Sequence, residues 1–420
     1  MRKKKPNIIV ENVLVEDYAA EGKSISHVDG KAIFIENCIP GDIVDVQLTK
    51  NKKDWAEGFP VLFKKYSADR VPAFCTHFGV CGGCRWQTLP YEKQLYYKQK
   101  QVTDNLQRIA KIPLPPTSPI IGCEQTTLYR NKLEYTFSAK QFIPADELKT
   151  NPSLLLHQEN KGAAGFHAKG FFEKVVAIDT CHLQAEPTNK MRKAVADFAR
   201  KNQLPFYDIR NHTGWLRTMQ VRNTSTGEWM LNIVFGYEEE KMRKQLLDML
   251  LEQFPEITTL LYTINPKHND SIYDLTPVVY SGAGYIVEKL EAFRFKISAK
   301  SFFQTNTKQA ERLYRVARNF AQLDGTQILY DLYCGTGSIG IFAGNAAKKI
   351  IGVETIAEAI EDAKENAKLN NIQHAFFYTG DVVKVCNDAF FEQHGKPDVI
   401  ITDPPRAGMQ EKLIKKLLDI

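Results

Sequence analysis

Short apolar runs separated by turn residues fill the first part of the chain. Apolar side chains cluster at residues 8–10, 13–15, 32–35, 43–46 and 59–63, with glycine, proline and aspartate between them. Runs of this length bounded by turn residues predict β-strands. Five or so short strands in about 60 residues predict a small barrel of the OB type. Such barrels bind single-stranded nucleic acid or serve as structural appendages, and the sparse aromatic residues leave both interpretations open.

Strand-like and helical segments alternate in the last part of the chain. Apolar runs at residues 327–333, 349–353, 375–378 and 398–402 predict strands. The segments 338–347 and 355–371 predict helices, and an amphipathic pattern continues over residues 410–420. Strands that alternate with helices indicate a doubly wound parallel sheet of the α/β class.

The middle of the chain shows no single motif. A helix is predicted near residues 91–110, a proline-rich connector covers residues 113–119, and residues 124–300 mix strand-like and helical stretches. We therefore divide the chain into an OB-like barrel at residues 1–65, a central α+β domain at residues 66–300 and an α/β domain at residues 301–420. No run approaches the roughly 18 apolar residues that span a bilayer, so no membrane association is expected.

Composition and charge exclude few of the possible functions of the protein. The chain has 55 Lys and Arg against 49 Asp and Glu, which gives a net charge of +6. This excess permits an anionic partner such as a phosphate backbone, but a solvated surface explains it equally well. The basic first residues are not followed by the apolar segment of a secretory signal, so a cytoplasmic protein is expected.

A glycine-rich turn follows the first strand of the α/β part. Gly335, Gly337 and Gly340 come directly after that strand, where glycine lets the backbone approach a ligand. The spacing is also that of the dinucleotide fingerprint, so a nicotinamide cofactor stays open. Asp331 before the turn and the Asp-Pro-Pro segment that begins at Asp403 instead resemble S-adenosylmethionine-dependent methyltransferases.

Acidic residues follow the other strands of this part in the same way. Glu354 ends the second strand, where a carboxylate can accept hydrogen bonds from ribose hydroxyls. Asp381 follows the third strand, within reach of an adenine amino group, and Asp403 follows the fourth. Their placement at successive strand ends predicts one pocket for a nucleoside cofactor.

Three of the eight cysteines lie within ten residues. Cys75, Cys81 and Cys84 surround two glycines that let the chain wrap closely around an inorganic centre. The fourth ligand has to come from elsewhere; Cys181 is the best candidate and Cys123 competes with it. Four thiolates can hold a 4Fe-4S cluster or a structural zinc ion, and zinc more often recruits histidine or a second paired knuckle.

Taken together, the motifs resemble those of the RNA 5-methyluridine methyltransferases. More narrowly, they are similar to the iron–sulfur-containing 23S rRNA (uracil-5-)-methyltransferases, and the resemblance covers nearly the whole chain. The motifs are the cysteine cluster, Tyr129-Arg130-Asn131-Lys132, Ser301-Phe302-Phe303-Gln304-Thr305-Asn306, the Asp331–Gly337 turn and Asp403-Pro404-Pro405-Arg406. The resemblance implies an N-terminal TRAM barrel of the OB type, a central domain and a Rossmann-like methyltransferase domain.

The same resemblance implies the ligands and their residues. A 4Fe-4S cluster is implied at Cys75, Cys81, Cys84 and Cys181. S-adenosylmethionine is implied at the glycine turn and the strand ends, through Gln304, Tyr333, Gly335, Gly337, Glu354, Asp381 and Asp403. The implied partner is RNA, most specifically 23S rRNA, and a monomer is expected. A tRNA 5-methyluridine methyltransferase and a non-catalytic protein that binds RNA and S-adenosylmethionine are the alternatives.

The chemistry implied by the resemblance is covalent catalysis, because uracil C5 is too weak a nucleophile to accept a methyl group unaided. A cysteine thiolate adds to C6, C5 attacks the methyl group, and a glutamate removes the C5 proton. The family places both residues after the Asp-Pro-Pro-Arg segment, and the sequence ends at Ile420. We therefore expect an incomplete chain that binds cofactor and RNA without methylating. No catalytic residue is assigned within it, and Cys334 in the glycine turn is a poor substitute.

Overall fold

The computed structural model describes residues 8–19, 22–151 and 162–420. These residues form two compact units that alternate along the chain. The first unit comprises Met1–Thr126, Phe142–Pro152 and Phe166–Cys181. The second comprises Thr127–Gln141, Ser153–Gly165 and His182–Ile420. The boundaries predicted at residues 65 and 300 stay predictions.

The first unit begins with the predicted barrel. Six strands lie in the order β1-β5-β6-β4-β3-β2 around a small apolar core that includes Ile33, Ile35, Val44 and Val46. Alternate residues of β5 point into this core, as expected for strands with one face buried. The strands are β1 (Ile9–Leu14), β2 (Asp17–Tyr18), β3 (Ser24–Val28), β4 (Lys31–Ile35), β5 (Ile43–Asn51) and β6 (Trp55–Lys65).

A bulge in β1 explains why this one strand was predicted as two. Residues 8–10 and 13–15 were expected as separate strands, but they belong to the single strand β1. Its register shifts between Val10 and Val13, and Asn12 has a φ of 55° while its N–H donates to Asp45 Oδ1 at 2.9 Å. The polar interruption in the sequence is therefore a bulge within a strand.

Helical and short extended segments complete the first unit. The predicted helix near residues 91–110 is α1 (Tyr91–Asp104), followed by a π-helical turn at Asn105–Ile109. The other elements are α2 (Ala145–Thr150) and β9 (Val175–Ala177). Helix α1 packs on the barrel through aromatic rings, since the Tyr18 ring lies 4.8 Å from Trp86 and 4.9 Å from Tyr97.

The second unit contains a mostly antiparallel sheet with helices, in agreement with the predicted α+β region. Six of its strands lie side by side in the order β13-β12-β11-β10-β7-β8. They are β7 (Lys132–Ser138), β8 (Ala163–His167), β10 (Leu216–Asn223), β11 (Trp229–Phe235), β12 (Ile257–Ile264) and β13 (Val278–Ser281). The helices are α3 (Thr188–Lys201) and α4 (Glu240–Gln253), and β14 (Tyr285–Leu290) pairs with β15 (Phe293–Ser298) as a hairpin.

The second unit also contains the predicted parallel sheet, with strand order β18-β17-β16-β19. Its strands are β16 (Ile328–Leu332), β17 (Lys349–Glu354), β18 (Ala375–Thr379) and β19 (Val399–Thr402). Its helices are α5 (Thr307–Ala321), α6 (Ser338–Ala343), α7 (Ala357–Leu369), α8 (Val382–Val385), α9 (Asp388–His394) and α10 (Glu411–Leu418). The predicted helix over 338–347 is shorter because α6 ends before Gly344, and α8 and α9 were not predicted.

Burial on both faces explains why these strands read as continuous apolar runs. Leu329 and Ile350 pack into a core on one face of the sheet. Tyr330, Ile351 and Val353 pack into another on the opposite face. Parallel strands covered by helices on both sides need apolar residues at every position, not at alternate ones. Within the described ranges, no helix combines the length and apolar character needed to cross a bilayer.

Candidate functional site

The carboxyl ends of the parallel strands define the candidate site. The chain runs from β16 outward to β17 and β18, whereas β19 pairs with the other side of β16. This reversal of strand order opens a crevice at the carboxyl edge, where ligands bind in such sheets. The predicted residues Tyr333, Glu354, Asp381 and Asp403 all follow or end these strands at that edge.

The glycine turn is held tightly against the end of β17. The backbone N–H groups of Tyr333 and Cys334 both donate to the Val353 carbonyl, at 2.9 and 3.1 Å. Tyr333 has a φ of 65°, a costly conformation for a residue with a side chain, and one that clusters at functional sites. Gly337 has a φ of 73°, and a Cβ there would lie 3.0 Å from the Phe377 ring. The turn therefore needs glycine at this position and holds Tyr333 in a strained conformation.

Asp331 lies beneath this turn and is fully buried. Its Oδ2 accepts a hydrogen bond from Gly340 N at 2.8 Å, and a Cβ at Gly340 would lie 2.7 Å from that oxygen. Its Oδ1 has no hydrogen-bond partner among the described residues. Burial raises the pKa of Asp331 to about 7, and the nearby carboxylates of Asp403 and Glu354 add to the shift. The three acids are thus close enough to influence one another, as the sequence predicted.

Glu354 is already oriented by the backbone around it. Its Oε2 accepts from Gly335 N at 3.2 Å, and its Oε1 accepts from Ile356 N at 3.1 Å and from the Thr355 hydroxyl at 2.9 Å. A half-buried carboxylate held in this way can accept further hydrogen bonds with little reorganisation. The contact with Gly335 joins two residues that were predicted separately.

Asp381 and Tyr333 form the other end of the site. Asp381 Oδ1 accepts from Val383 N at 2.9 Å and so caps α8. Burial raises the pKa of the Tyr333 phenol, and the Asp381 carboxylate adds to that shift. Gly380 N donates to the Glu354 carbonyl at 2.8 Å, which ties this strand end to its neighbour. Asp381 therefore lies at the same edge as the glycine turn.

Tyr314 of α5 was not identified from the sequence, although it belongs to the floor of the site. Its hydroxyl lies 3.0 Å from Ser338 Oγ at the start of α6. Burial raises the pKa of Tyr314 to about 12, with Asp331 and Asp403 contributing. A tyrosine on an amphipathic helix is usually core packing, so its position in the sequence carried no signal.

Gln304 is placed by contacts to the loop that carries it. Asn131 donates from Nδ2 to the Gln304 carbonyl and to Thr307 Oγ1, both at 2.9 Å, and its backbone N–H donates to the Thr305 carbonyl at 2.8 Å. These contacts explain why the Tyr129–Lys132 segment accompanies the 301–306 segment. In the described part of the chain, the Gln304 side chain forms no hydrogen bond with the strand-end carboxylates.

The start of the same loop is held by two residues that sequence reasoning missed. Arg222 Nη2 donates to the Ser301 carbonyl at 2.6 Å. The Ser301 hydroxyl donates to Asp362 Oδ2 at 2.6 Å, and burial raises the pKa of that carboxyl. Neither residue lies in a recognisable motif, because their partners are distant in sequence. The 301–306 loop is therefore fixed from β10, from α7 and from the segment before β7.

The cysteines of the parallel-sheet region are poorly suited to nucleophilic chemistry. Burial raises the pKa of Cys334 well above its usual value, and the neighbouring carboxylates of Asp331 and Glu354 add to the shift. Burial also raises the pKa of Cys386 to about 11. Because the thiolate is the reactive form, neither thiol is activated.

The predicted metal-ligand cysteines all belong to the first unit. Cys75, Cys81 and Cys84 are half-buried, Cys181 is buried, and none forms a disulfide. Burial raises the pKa of the Cys81 thiol, and proximity to Cys84 and Cys75 adds to the shift. Across the described ranges, however, no group of three or more His, Cys, Asp or Glu side chains is arranged to hold a metal ion. The cluster stays a prediction that rests on the donor set.

Two regions of the chain, one near each end, match known domain families. Residues 10–61 match the TRAM domain family, and residues 323–417 match a family described as a methyltransferase domain. These matches agree with the predicted barrel and parallel-sheet regions.

Full-length relatives are similar over almost the whole chain. A Bacteroides thetaiotaomicron protein described as an uncharacterized RNA methyltransferase is 47% identical over 403 residues, which cover 95% of this chain and 88% of the relative. A Porphyromonas gingivalis protein of the same description is 45% identical and covers 96% of this chain and 87% of its own length. A Chlorobaculum tepidum RNA methyltransferase is 35% identical over 100% of this chain and 87% of the relative.

A solved structure confirms the fold class. The tRNA (uracil-54, C5)-methyltransferase of Pyrococcus abyssi, in complex with S-adenosyl-L-homocysteine, superposes with a TM-score of 0.71. The match covers 97% of this chain and 86% of that chain at 23% sequence identity. At this identity the likeness establishes the arrangement of the chain and no more.

The raised pKa of Asp331 predicts how its removal changes stability. An acid whose pKa is about 7 in the folded protein and about 4 when unfolded weakens the folded state as pH rises between those values. Below that window the acid is neutral in both states, and above it the full cost applies. We expect Asp331→Asn to raise the melting temperature of the ligand-free protein, with a gain that grows from about pH 4 to about pH 7 and then levels off.

Thermal unfolding followed by circular dichroism across this pH range measures the effect. The exposed Glu392, changed to Gln, is the matched control, because its side chain has the same charge and lies in solvent. A melting-temperature difference for Asp331→Asn that is constant with pH, or negative throughout, would contradict the assignment of a strained buried acid.

Proposed function

The chain belongs to the RNA methyltransferases, and on that premise we propose that it serves the methylation of uridine C5 in RNA with S-adenosylmethionine as methyl donor. The observation that carries the proposal is the convergence of Asp331, Glu354 and Asp403 beside a glycine turn at the carboxyl edge of the parallel sheet. Three carboxylates in one crevice suit a ligand that carries positive charge and ribose hydroxyls.

We assign the cofactor contacts from the chemistry of each residue. Glu354 accepts hydrogen bonds from the ribose hydroxyls, since its carboxylate is oriented by Gly335 and Ile356. Asp381 faces the adenine amino group from the end of β18. The unpartnered Oδ1 of Asp331 provides negative charge for the cofactor's ammonium group. Gly335, Gly337 and Tyr333 supply the turn along which the cofactor lies, and Gln304 and Asp403 face the methyl donor.

Uridine C5 is proposed as the acceptor on two grounds. The motifs resemble those of the 5-methyluridine enzymes, and the solved structure that superposes over nearly the whole chain is named a uracil C5 methyltransferase. Bound S-adenosylmethionine would supply an electrophilic methyl group, which C5 can attack once a nucleophile has added to C6. Cys334 and Cys386 do not fit that nucleophilic role, because burial keeps both thiols protonated.

The RNA is proposed to be 23S rRNA. This choice rests on the resemblance of the cysteine cluster to the iron–sulfur enzymes that act on that RNA. The named target of the superposed structure is instead a tRNA, which keeps a tRNA substrate as the second candidate. A TRAM barrel at residues 10–61 is compatible with either RNA.

We further propose that Cys75, Cys81, Cys84 and Cys181 hold a 4Fe-4S cluster. The four residues belong to one compact unit, and burial raises the pKa of the Cys81 thiol, with Cys84 and Cys75 adding to the shift. A bound cation would offset this shift. Such a cluster would favour the thiolate forms. No step of methyl transfer is assigned to it.

The ribose assignment predicts a loss of cofactor affinity in Glu354→Gln. A hydrogen bond to a carboxylate contributes about 1.5–3 kcal/mol, so the dissociation constant for S-adenosylhomocysteine should rise by roughly tenfold to a hundredfold. Isothermal titration calorimetry measures it, with the exposed Glu392→Gln as control. Unchanged affinity in Glu354→Gln would remove the ribose assignment, and no binding by the unaltered protein would contradict the proposal that S-adenosylmethionine is the methyl donor.

The substrate proposal predicts which RNA loses its modification in cells without the gene. Mass spectrometry of nucleosides from separated 23S rRNA and tRNA should show 5-methyluridine lost from 23S rRNA and retained in tRNA. The opposite pattern would favour the tRNA candidate. Undiminished 5-methyluridine in both RNAs would contradict the C5 assignment.

The cluster proposal predicts the colour and iron content of the protein. Protein purified without oxygen should show a broad visible absorption band and contain iron and sulfide, and Cys81→Ser should lose all three. Cys123→Ser distinguishes the competing fourth ligand, and Cys386→Ala, in the core of the parallel-sheet region, is the control. A colourless protein with one bound zinc ion would overturn the iron–sulfur assignment.

A further inference from the structure

A cluster of three cations, one buried and two half-buried, lies beside the loop that carries Gln304. Lys132 at the start of β7 is flanked electrostatically by Arg130 and Arg222, and its side chain is only 29% exposed. Arg222 is 3% exposed. All three side chains belong to the second unit, and we call them the β7 cation cluster.

The positive charge of this cluster is not balanced by the protein. Among the described residues, neither Arg130 nor Arg222 forms an ion pair, and the hydrogen-bond acceptors of the Arg222 guanidinium are neutral oxygens of Gln220, Ala299 and Ser301. The Arg130 Nε atom is buried without any partner in the described chain. Lys132 Nζ lies 3.9 Å from the Glu134 carboxylate, and the Glu134 side chain is 48% exposed.

Burying such an excess is costly unless an anion compensates it. Burial and the two arginines lower the pKa of Lys132 to about 8, and burial lowers that of Arg222 to about 10. Both values show the direction expected for cations that lack a counter-charge. Lys132 and Arg222 still carry charge at neutral pH, so the positive charge of the cluster is offset only in part by the nearby Glu134.

The position of the cluster indicates which anion it meets. Arg222 holds the Ser301 carbonyl at 2.6 Å, so the cluster adjoins the loop on which Phe302 is 66% exposed. The phenol of Tyr273, on a side chain that is 63% exposed, also lies within electrostatic range of Arg222. Buried cations beside exposed aromatic rings match the way proteins hold single-stranded nucleic acid.

We propose that the β7 cation cluster binds one backbone phosphate of an unpaired RNA segment, with Lys132 as the ligand that reaches it from the open side. This inference rests on the proposed function, since it takes RNA as the substrate. The phosphate replaces the missing counter-charge, and Arg130 and Arg222 supply the surrounding positive potential. The same contact fixes the RNA relative to the 301–306 loop, because Arg222 is a member of the cluster and also donates to the Ser301 carbonyl of that loop.

Binding of a labelled single-stranded uridine-rich oligoribonucleotide tests the proposal. Fluorescence anisotropy gives the dissociation constant at several salt concentrations for the unaltered protein, Lys132→Gln and the control Lys289→Gln. Lys289 is exposed on β14 and lies outside the cluster. Lys132→Gln should weaken binding roughly tenfold and lower the slope of log affinity against log salt by about 0.7, whereas Lys289→Gln should change neither by as much.

Lys132→Arg keeps the charge and makes the test independent of folding defects. RNA affinity of the unaltered protein should fall as pH rises through about 8, because Lys132 loses its proton there. Lys132→Arg should bind RNA at neutral pH and lose this dependence, since arginine stays protonated. The charged groups that face Lys132 are Arg130, Arg222 and Glu134.

Each other result has a distinct meaning. Equal RNA affinity of Lys132→Gln and Lys289→Gln would overturn this inference and leave the proposed function standing. Loss of S-adenosylhomocysteine binding in Lys132→Gln would also overturn it, since the cluster would then hold the cofactor's carboxylate. If the unaltered protein binds S-adenosylhomocysteine but no RNA, the proposed RNA substrate fails, and this inference fails with it.

Discussion

Parallel pairing of β16 with β17 and β19 forces several carboxylates to share one edge of the sheet. Asp331 and Glu354 lie near the ends of β16 and β17, Asp403 follows β19, and burial raises the pKa of Asp331 to about 7. Backbone hydrogen bonds offset part of the repulsion between these acids, because Gly340 N donates to Asp331 and Gly335 N donates to Glu354. Placing like charges in a buried crevice opposes folding of the empty protein and favours a cationic ligand.

The glycine turn and the strained Tyr333 follow from the same constraint. The turn must pass close over Asp331 while its N–H groups reach Val353 and Glu354, which leaves no space for a side chain at Gly340. Tyr333 accepts a left-handed conformation in consequence. A conformation of this kind persists only where surrounding contacts determine it, and here the edge of β17 does so.

The antiparallel part of the second unit adds a support for the site. Asn131 and Arg222 hold opposite ends of the 301–306 loop, and Asp362 holds its Ser301 hydroxyl from α7. Arg222 also belongs to the β7 cation cluster. Its buried guanidinium therefore connects that cluster to the 301–306 loop. Among the predicted cluster ligands of the first unit, Cys84 and Cys75 act electrostatically on Cys81.

The sequence alone determined the elements whose signals are local. The strand-and-helix alternation after residue 326, the glycine turn, and the acids at Glu354, Asp381 and Asp403 could be predicted, because parallel strands bring their carboxyl ends to one edge. Local pattern also indicated the barrel, although the bulge at Asn12 was mistaken for a gap between strands. The boundaries predicted at residues 65 and 300 stay predictions.

Only the tertiary structure decided the roles that depend on distant partners. Tyr314 lies under the site, and Arg222 and Asn131 support the loop from more than 70 positions away in sequence. Lys132 is half-buried near two arginines. None of these residues carries a local signal, since a lysine or a tyrosine in a strand or helix looks the same whether exposed or enclosed. Burial and charge balance are properties of the folded neighbourhood, and they set the pKa values and contacts on which the site depends.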